Sequence, residues 1–216
     1  MWNDLLGFRC VLCRRIVTGR AADRQLCASC LADLPWLVEP EITPPTDLIS
    51  RQIAPLAYAG APRTWVLGSK HDGGLVAARI LGVLLAEALE DAYPPGTARP
   101  SHLIPVPLSR RRLIRRGHNQ AVLIAAPVGH RLGCVLVRRG IHRRRHTPFQ
   151  PGLDPARRRR NVQGAFESRR RWHGETVAIV DDVVTTGATA AALAEALIEA
   201  GAGAVHLWSP TLAPAT

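Results

Sequence analysis

Lysine is almost missing from this 216-residue chain: of its 28 basic residues, all but Lys70 are arginine. In so arginine-biased a chain a lone lysine is either a chance survivor at a helix end or a position that needs a compact ammonium. Acidic residues are missing too, but locally. From Ala92 to Leu153 there is no Asp or Glu, while arginines come in runs at Arg110–Arg112, Arg115–Arg116, Arg138–Arg139 and Arg143–Arg145. Further runs follow at Arg157–Arg160 and Arg169–Arg171, and the formal net charge is +11. Any single run reads equally well as solvated surface. Self-repulsion across the whole acid-free tract instead favours an anionic partner, whether a phosphorylated small molecule, nucleic acid or an acidic membrane surface. Long apolar runs are also lacking. The most apolar stretch, "ILGVLLAEALEDA", is too short and too acidic to span a bilayer, so no membrane span is expected. "MWNDLLGFRC" has no basic start followed by an apolar stretch, so no signal peptide is expected and the location should be cytoplasmic.

What is present suits one α/β domain of ordinary size plus a small module. Residues 1–38 hold four of the five cysteines, and "EPEITPPTD" reads as the start of a Pro-rich linker over residues 39–50. A domain over 51–216 follows. "QIAPLAYAG" suggests a strand, "APRTWVLGSKHDGG" a short helix ending near Lys70, and "LVAARILGVLLAEALEDA" a strong amphipathic helix. "HLIPVP" and "CVLV" are short strands around a helical "NQAVLIAAPVGHRL", which Pro127 should kink or end. The basic stretch from Arg138 to Arg160 reads as a long mobile loop. "ETVAIV", "TAAALAEALIEA" and "AVHLWSP" close the chain as strand, helix and strand. Strands alternating with helices predict a mostly parallel sheet flanked by helices.

Cys10-x-x-Cys13 and Cys27-x-x-Cys30 are two knuckles separated by thirteen residues. Each offers two thiolates on a tight turn, and zinc takes four in a tetrahedron. A disulfide pair does not suit a cytosolic chain, and a redox motif would not need doubling. The expectation is one structural Zn²⁺ with no open coordination position. Cys134, alone on an apolar strand, reads as a core residue.

"VAIVDDVVTTGAT" (Val177–Thr189) places two adjacent carboxylates, Asp181 and Asp182, at the end of an apolar strand. Burying such a pair is costly, so it belongs at a sheet rim. The helix start that follows offers free backbone N–H groups to an anion. Thr185, Thr186 and Thr189 add hydroxyl donors, and Gly187 lets the main chain approach closely. Carboxylates that accept from vicinal hydroxyls, beside phosphate donors, describe a ribose 5-phosphate site.

This segment resembles the phosphoribosyl pyrophosphate (PRPP) signature of type I phosphoribosyltransferases: an apolar run, an acidic pair, Val183–Val184, then Thr185-Thr186-Gly187-Ala188-Thr189. With the double CxxC, "SKHDGG", "PVPLSRRRLIRRGHNQA" and "TPFQPGLDPARRRRNVQGAF", nearly the whole chain resembles the ComF family linked to DNA uptake and competence. The resemblance implies a phosphoribosyltransferase-like fold, ribose contacts at Asp181 and Asp182, and a 5-phosphate cradle from Thr185 to Thr189. It implies that Lys70, Arg116, Gly117, Asn119 and Gln120 face the pyrophosphate, and that a lid including Arg158 and Asn161 closes over PRPP. Mg²⁺ would be held mainly by the substrate's oxygens and water. His118 stands where the family usually has an aromatic, and Arg157 where an acid is common. Thr185 replaces the acid of 6-oxopurine salvage enzymes, which disfavours that chemistry.

Two functions fit these residues. One is a PRPP-binding protein of DNA uptake that handles single-stranded DNA beside other uptake proteins, with the crevice as sensor or vestige. The other is a phosphoribosyltransferase of nucleobase or nucleotide metabolism with an unidentified acceptor. Trp172, near an arginine run, could stack bases or simply pack.

Overall fold

The computed structural model describes residues 8–71, 74–144 and 164–214. It opens on an antiparallel hairpin, β1 (Phe8–Arg9) with β2 (Ile16–Val17), and two short helices, α1 (Arg20–Arg24) and α2 (Ala28–Ala32). Then come β3 (Glu41–Ile42), β4 (Arg51–Ile53), β5 (Leu56–Ala57), α3 (Gly60–Gly68) and α4 (Leu75–Ala92). β6 (His102–Pro105), α5 (Arg110–Arg116), α6 (Gln120–Leu132), β7 (Val135–Leu136) and β8 (Ile141–Arg143) follow. The last described stretch holds β9 (Phe166–Ser168), β10 (Thr176–Val180), α7 (Ala188–Glu199), β11 (Ala204–Trp208) and β12 (Thr211–Leu212).

Among the described residues the central sheet runs β3-β4-β11-β10-β6-β7, and only β3 is antiparallel to its neighbour. The expected mostly parallel α/β sheet is therefore present. β10 sits at its centre because every side chain from Val177 to Val180 is fully buried. Its residues alternate between two cores, as the strand period requires. Ala178 and Val180 pack with α4 and α6 on one face, and Val177 and Ile179 pack with α7 on the other. Register aligns Val180 with Pro105 on one side and Trp208 on the other. The chain leaves β6 outwards through α6 to β7, and leaves β10 in the opposite direction through α7 to β11. That reversal opens a crevice beyond the carboxyl ends of β6 and β10, the usual place for a ligand in such sheets.

The N-terminal module packs on this domain through Cys10, Val17, Leu26 and Leu34, which share a core with Leu81 and Leu84 of α4. Arg24 adds an ion pair to Glu87 at 3.3 Å.

Two local expectations need correction. α6 does not end at Pro127 but continues from Gln120 to Leu132. The missing Pro127 N–H costs one helical bond, but α6 buries Ile124, Ala125 and Val128, and Gly82 of α4 lets the two helices close tightly. A Cβ at Gly82 would come 2.5 Å from the Ile124 carbonyl oxygen. The basic tract is not all loop, because β8 pairs antiparallel with β9. Within the Pro-rich stretch, Glu41 and Ile42 form an edge strand, with Glu41 bound to Arg51 through two bonds of 2.8 and 2.7 Å.

Candidate functional site

The acidic pair stands where β10 ends. The Asp181 N–H still bonds the Trp208 carbonyl at 3.1 Å, as a ladder bond would. Thereafter the chain turns: Asp181 Oδ1 accepts the Asp182 N–H at 2.9 Å, and Asp182 Oδ1 accepts the Val183 N–H at 3.1 Å. Thr211, fully buried, fixes the turn from the side. Its hydroxyl donates to the Asp182 carbonyl at 2.9 Å, and its own carbonyl accepts from Val184 at 3.1 Å. Gly187 then begins α7 at φ +68°, a conformation other L-residues resist. A Cβ there would also meet Pro45 at 2.3 Å, so the Pro-rich stretch lies directly against this turn. No side chain caps α7, which leaves its first N–H groups beside Thr185, Thr186 and Thr189.

Lys70, the single lysine, reaches this pair. Its Nζ lies 2.9 Å from Asp182 Oδ2, and both side chains are mostly buried. The ammonium is held there by its own turn. Ser69, fully buried, caps α3, and His118 Nε2–H donates to the Ser69 carbonyl at 2.8 Å. Gly74 is required close by, since a Cβ there would lie 2.2 Å from the Gly68 carbonyl oxygen. His118 thus clamps the Lys70 turn to the loop after β6.

The rest of that loop is organised inwards. Asn119 caps α6 by accepting the Ala121 N–H at 3.0 Å, and its amide donates to the Val106 carbonyl at 3.0 Å. Gln120 is buried and accepts from Arg116 at 3.0 Å. Gly117 ends α5 at φ +69°. Asn119, Gln120 and Gly117 therefore shape the loop, and Arg116 is the member of the set that carries charge to the crevice. Arg158 and Asn161 lie outside the described residues.

Electrostatics tie these groups together. Burial pushes the Asp181 carboxyl well above the usual carboxylate range, and the Asp182 carboxylate adds to that, against the pull of Lys70. Burial lowers the Arg116 guanidinium, and Asp182 opposes the shift. Burial likewise lowers Arg143, with Arg112 adding and Asp181 opposing. Arginines in proteins stay charged through shifts of this kind. The crevice therefore combines a two-carboxyl rim, an uncapped helix start and cations from α5, β8 and the Lys70 turn. The composition singled out Lys70. Arg143 and Thr211 lie outside every motif, Arg112 and His118 lie in one that assigns them no role, and only the fold brings the four here.

A second cluster lies in the N-terminal module. The sulfurs of Cys10, Cys13, Cys27 and Cys30 all fall within 4.8 Å of one another, with Cys13 and Cys27 at 3.5 Å. Tetrahedral zinc at about 2.3 Å from each sulfur needs sulfurs roughly 3.8 Å apart, so the cluster fits a metal ion such as zinc. Burial alone would raise the Cys10 thiol, but backbone N–H groups of Cys13, Cys27 and Leu12 bring it down to about 6, while hydrogen bonding to Cys13 pushes Cys30 up to about 12, so a metal would have to displace the Cys30 proton. Among the described residues no other group of three metal-ligating side chains occurs. Cys134 is buried and donates to the Pro100 carbonyl at 3.1 Å, a packing role. Trp172 is also buried, beneath Arg170 at 4.5 Å, and has no face to offer a base.

Over 133 residues the chain is 40% identical to DNA utilization protein YhgH of Salmonella typhi, covering 62% of this chain and 59% of that protein. It is 38% identical to the protein of the same name from Escherichia coli strain K12, with the same coverage. Competence protein F of Haemophilus influenzae is 35% identical over 134 residues, 60% of this chain and 58% of that one. The chain is a homologue of these proteins. The resemblance to the ComF family carried by the motifs is thereby borne out, and the match spans about three fifths of these relatives' length. No protein-family model matches the chain. Among solved structures, TT1426 from Thermus thermophilus is 19% identical with a TM-score of 0.37, covering 62% of this chain and 83% of that one. No helix among the described residues is long and apolar enough to cross a membrane.

Proposed function

We propose that this protein binds PRPP in the crevice at the end of β10 and serves DNA uptake or utilization, handling single-stranded DNA. The observation that carries the PRPP reading is the Lys70–Asp182 pair beside the uncapped start of α7. Without ligand the ammonium and Asp182 neutralise each other, and Asp181 is pushed towards its protonated form. A ribose diol gives both carboxyl groups hydroxyl partners, and the diphosphate gives Lys70 and Arg116 an anion. Thr185 to Thr189 supply backbone and hydroxyl donors for the 5-phosphate. Two carboxyl groups are too few to enclose Mg²⁺, so that ion would arrive with the diphosphate and keep oxygen ligands from it and from water. The DNA side rests on the relatives' names, DNA utilization protein and competence protein, and on the acid-free tract.

In this reading the domains are a zinc-stapled module over 1–38, a Pro-rich linker over 39–50 and a PRPP-binding domain over 51–216. Zn²⁺ at the four cysteines is structural, because four thiolates fill a tetrahedral shell. A second reading, phosphoribosyl transfer to an acceptor, is favoured by the same cations, which would neutralise a departing pyrophosphate as positive charge develops at the ribose. Isothermal titration with PRPP and MgCl₂ tests the shared first step, since both readings require saturable binding.

A further inference from the structure

The arginine runs of the acid-free tract, distant in sequence, converge in space. Beside the loop after β6 lies a cleft of about 570 Å³. Arg110 comes to it from the start of α5, Arg138 and Arg139 from the turn after β7, and Arg143 from β8. His118, Asn119 and His142 complete its polar wall. Its floor is apolar, formed by Pro105, Leu108, Val122, Val137 and Ile141. Among the described residues that line it, none is acidic. The acid on the adjoining strand, Glu167, is already engaged by Arg144 at 2.7 Å. Arg143 stands at the boundary with the crevice, within electrostatic reach of both Arg112 and Asp181.

We propose that this cleft is the site of single-stranded DNA, with the phosphodiester backbone along Arg110, Arg138 and Arg139 and the bases against the apolar floor. The proposal rests on the DNA-handling half of the reading above; the cleft shares His118, Asn119 and Arg143 with the PRPP crevice, whereas Arg138 and Arg139, which carry the test, belong to the cleft alone. A small anion would use the cations but has no need of the floor. Duplex DNA would meet the cations with its bases already stacked inside the helix. A single strand offers both an anionic backbone and unstacked base faces. The described lining contains no Phe, Tyr or Trp. Affinity is therefore mostly electrostatic, tolerant of base sequence and steep in salt.

The test is fluorescence anisotropy with short fluorescein-labelled oligothymidine across a salt series. Wild type is compared with Arg138→Gln/Arg139→Gln and with Arg14→Gln/Arg15→Gln in the cysteine module, all exposed positions whose loss leaves the core intact. The cleft variant should weaken binding and flatten the slope of log affinity against log salt by about 1.4, roughly 0.7 for each lost phosphate contact. The module variant should keep the wild-type slope. An unchanged slope in the cleft variant, or a loss confined to the module variant, overturns the proposal. So does oligothymidine binding that inorganic pyrophosphate mimics with equal affinity and equal sensitivity to the cleft substitutions. Asp182→Asn, titrated in parallel, keeps the two halves apart: it should lose PRPP and retain the strand. Failure of PRPP to bind any variant would remove the crevice reading and leave the cleft result standing.

Discussion

Lys70 Nζ and Asp182 Oδ2 lie 2.9 Å apart, and the residue preceding Lys70 is bound through its carbonyl to His118. The acidic pair is thereby linked to the loop after β6 by one ammonium and one imidazole. His118→Phe keeps a ring in place but loses the donor. It should cost about 1 kcal/mol of stability, the usual worth of one such bond, and weaken PRPP binding several-fold. His118→Gln, which can still donate, should recover part of both. Thermal unfolding and calorimetric titration of the two variants check this. Equal PRPP affinity in wild type and His118→Phe would leave His118 a packing residue.

Purified protein should carry one zinc per chain at Cys10, Cys13, Cys27 and Cys30. Because Cys10 and Leu26 share a core with α4, loss of metal should be felt beyond the module. Elemental analysis of Cys27→Ser should show zinc falling towards zero, with the unfolding temperature falling too. Zinc content unchanged in that variant, or absent from wild type, contradicts the assignment.

His206 Nδ1 on β11 shares a hydrogen bond of 2.6 Å with the Tyr93 hydroxyl. Burial, helped by nearby Arg51, lowers its pKa to about 4. The unfolded chain protonates it near 6.5. A depressed folded pKa gives stability that is complete above pH 6.5 and lost as pH falls towards 4. After discounting for partial exposure, the loss should be about 1–2 kcal/mol. Denaturant midpoints at pH 7 and pH 4.5 should differ less in His206→Gln than in wild type. An equal difference in both would place the acid sensitivity elsewhere.

Asp181 carries the opposite sign. Its folded pKa is raised, so the stability linked to its protonated form is lost as pH rises through that value. Asp181→Asn mimics the neutral carboxyl. It should therefore stabilise the unliganded protein at pH 8 while impairing PRPP binding, as expected of a site that trades stability for function. Thermal shift with and without PRPP measures both effects. A destabilised variant at pH 8 would mean that Asp181 is a structural acceptor.

Much of this was legible in the residues because it depends on local chemistry. The run Val177–Val180 reads as a buried strand, and α4 coincides with its amphipathic stretch from Leu75 to Ala92. The four cysteines, spaced for one metal, do converge. What was not legible depends on tertiary contact. Pro127 argued for a kink or an end, yet the helix continues past it, because packing against α4 outweighs one lost hydrogen bond. Nothing in the sequence ties His118 to Ser69, Thr211 to Asp182 or Pro45 to Gly187, since each contact joins segments far apart in the chain. The single lysine was visible in the composition, but its partner was not, because Lys70 and Asp182 are brought together only by the sheet.

Asp181, Asp182 and the turn after them form the proposed PRPP site. Its most direct test is isothermal titration of PRPP with Mg²⁺ into wild type and Asp181→Asn/Asp182→Asn. The variant's fold is verified by circular dichroism. The wild type should bind saturably at one site per chain. The double variant should bind at least roughly tenfold more weakly, since two charge-assisted hydroxyl contacts are replaced by weaker ones. Equal affinity in the two proteins, or no heat of binding to the wild type, would contradict the account.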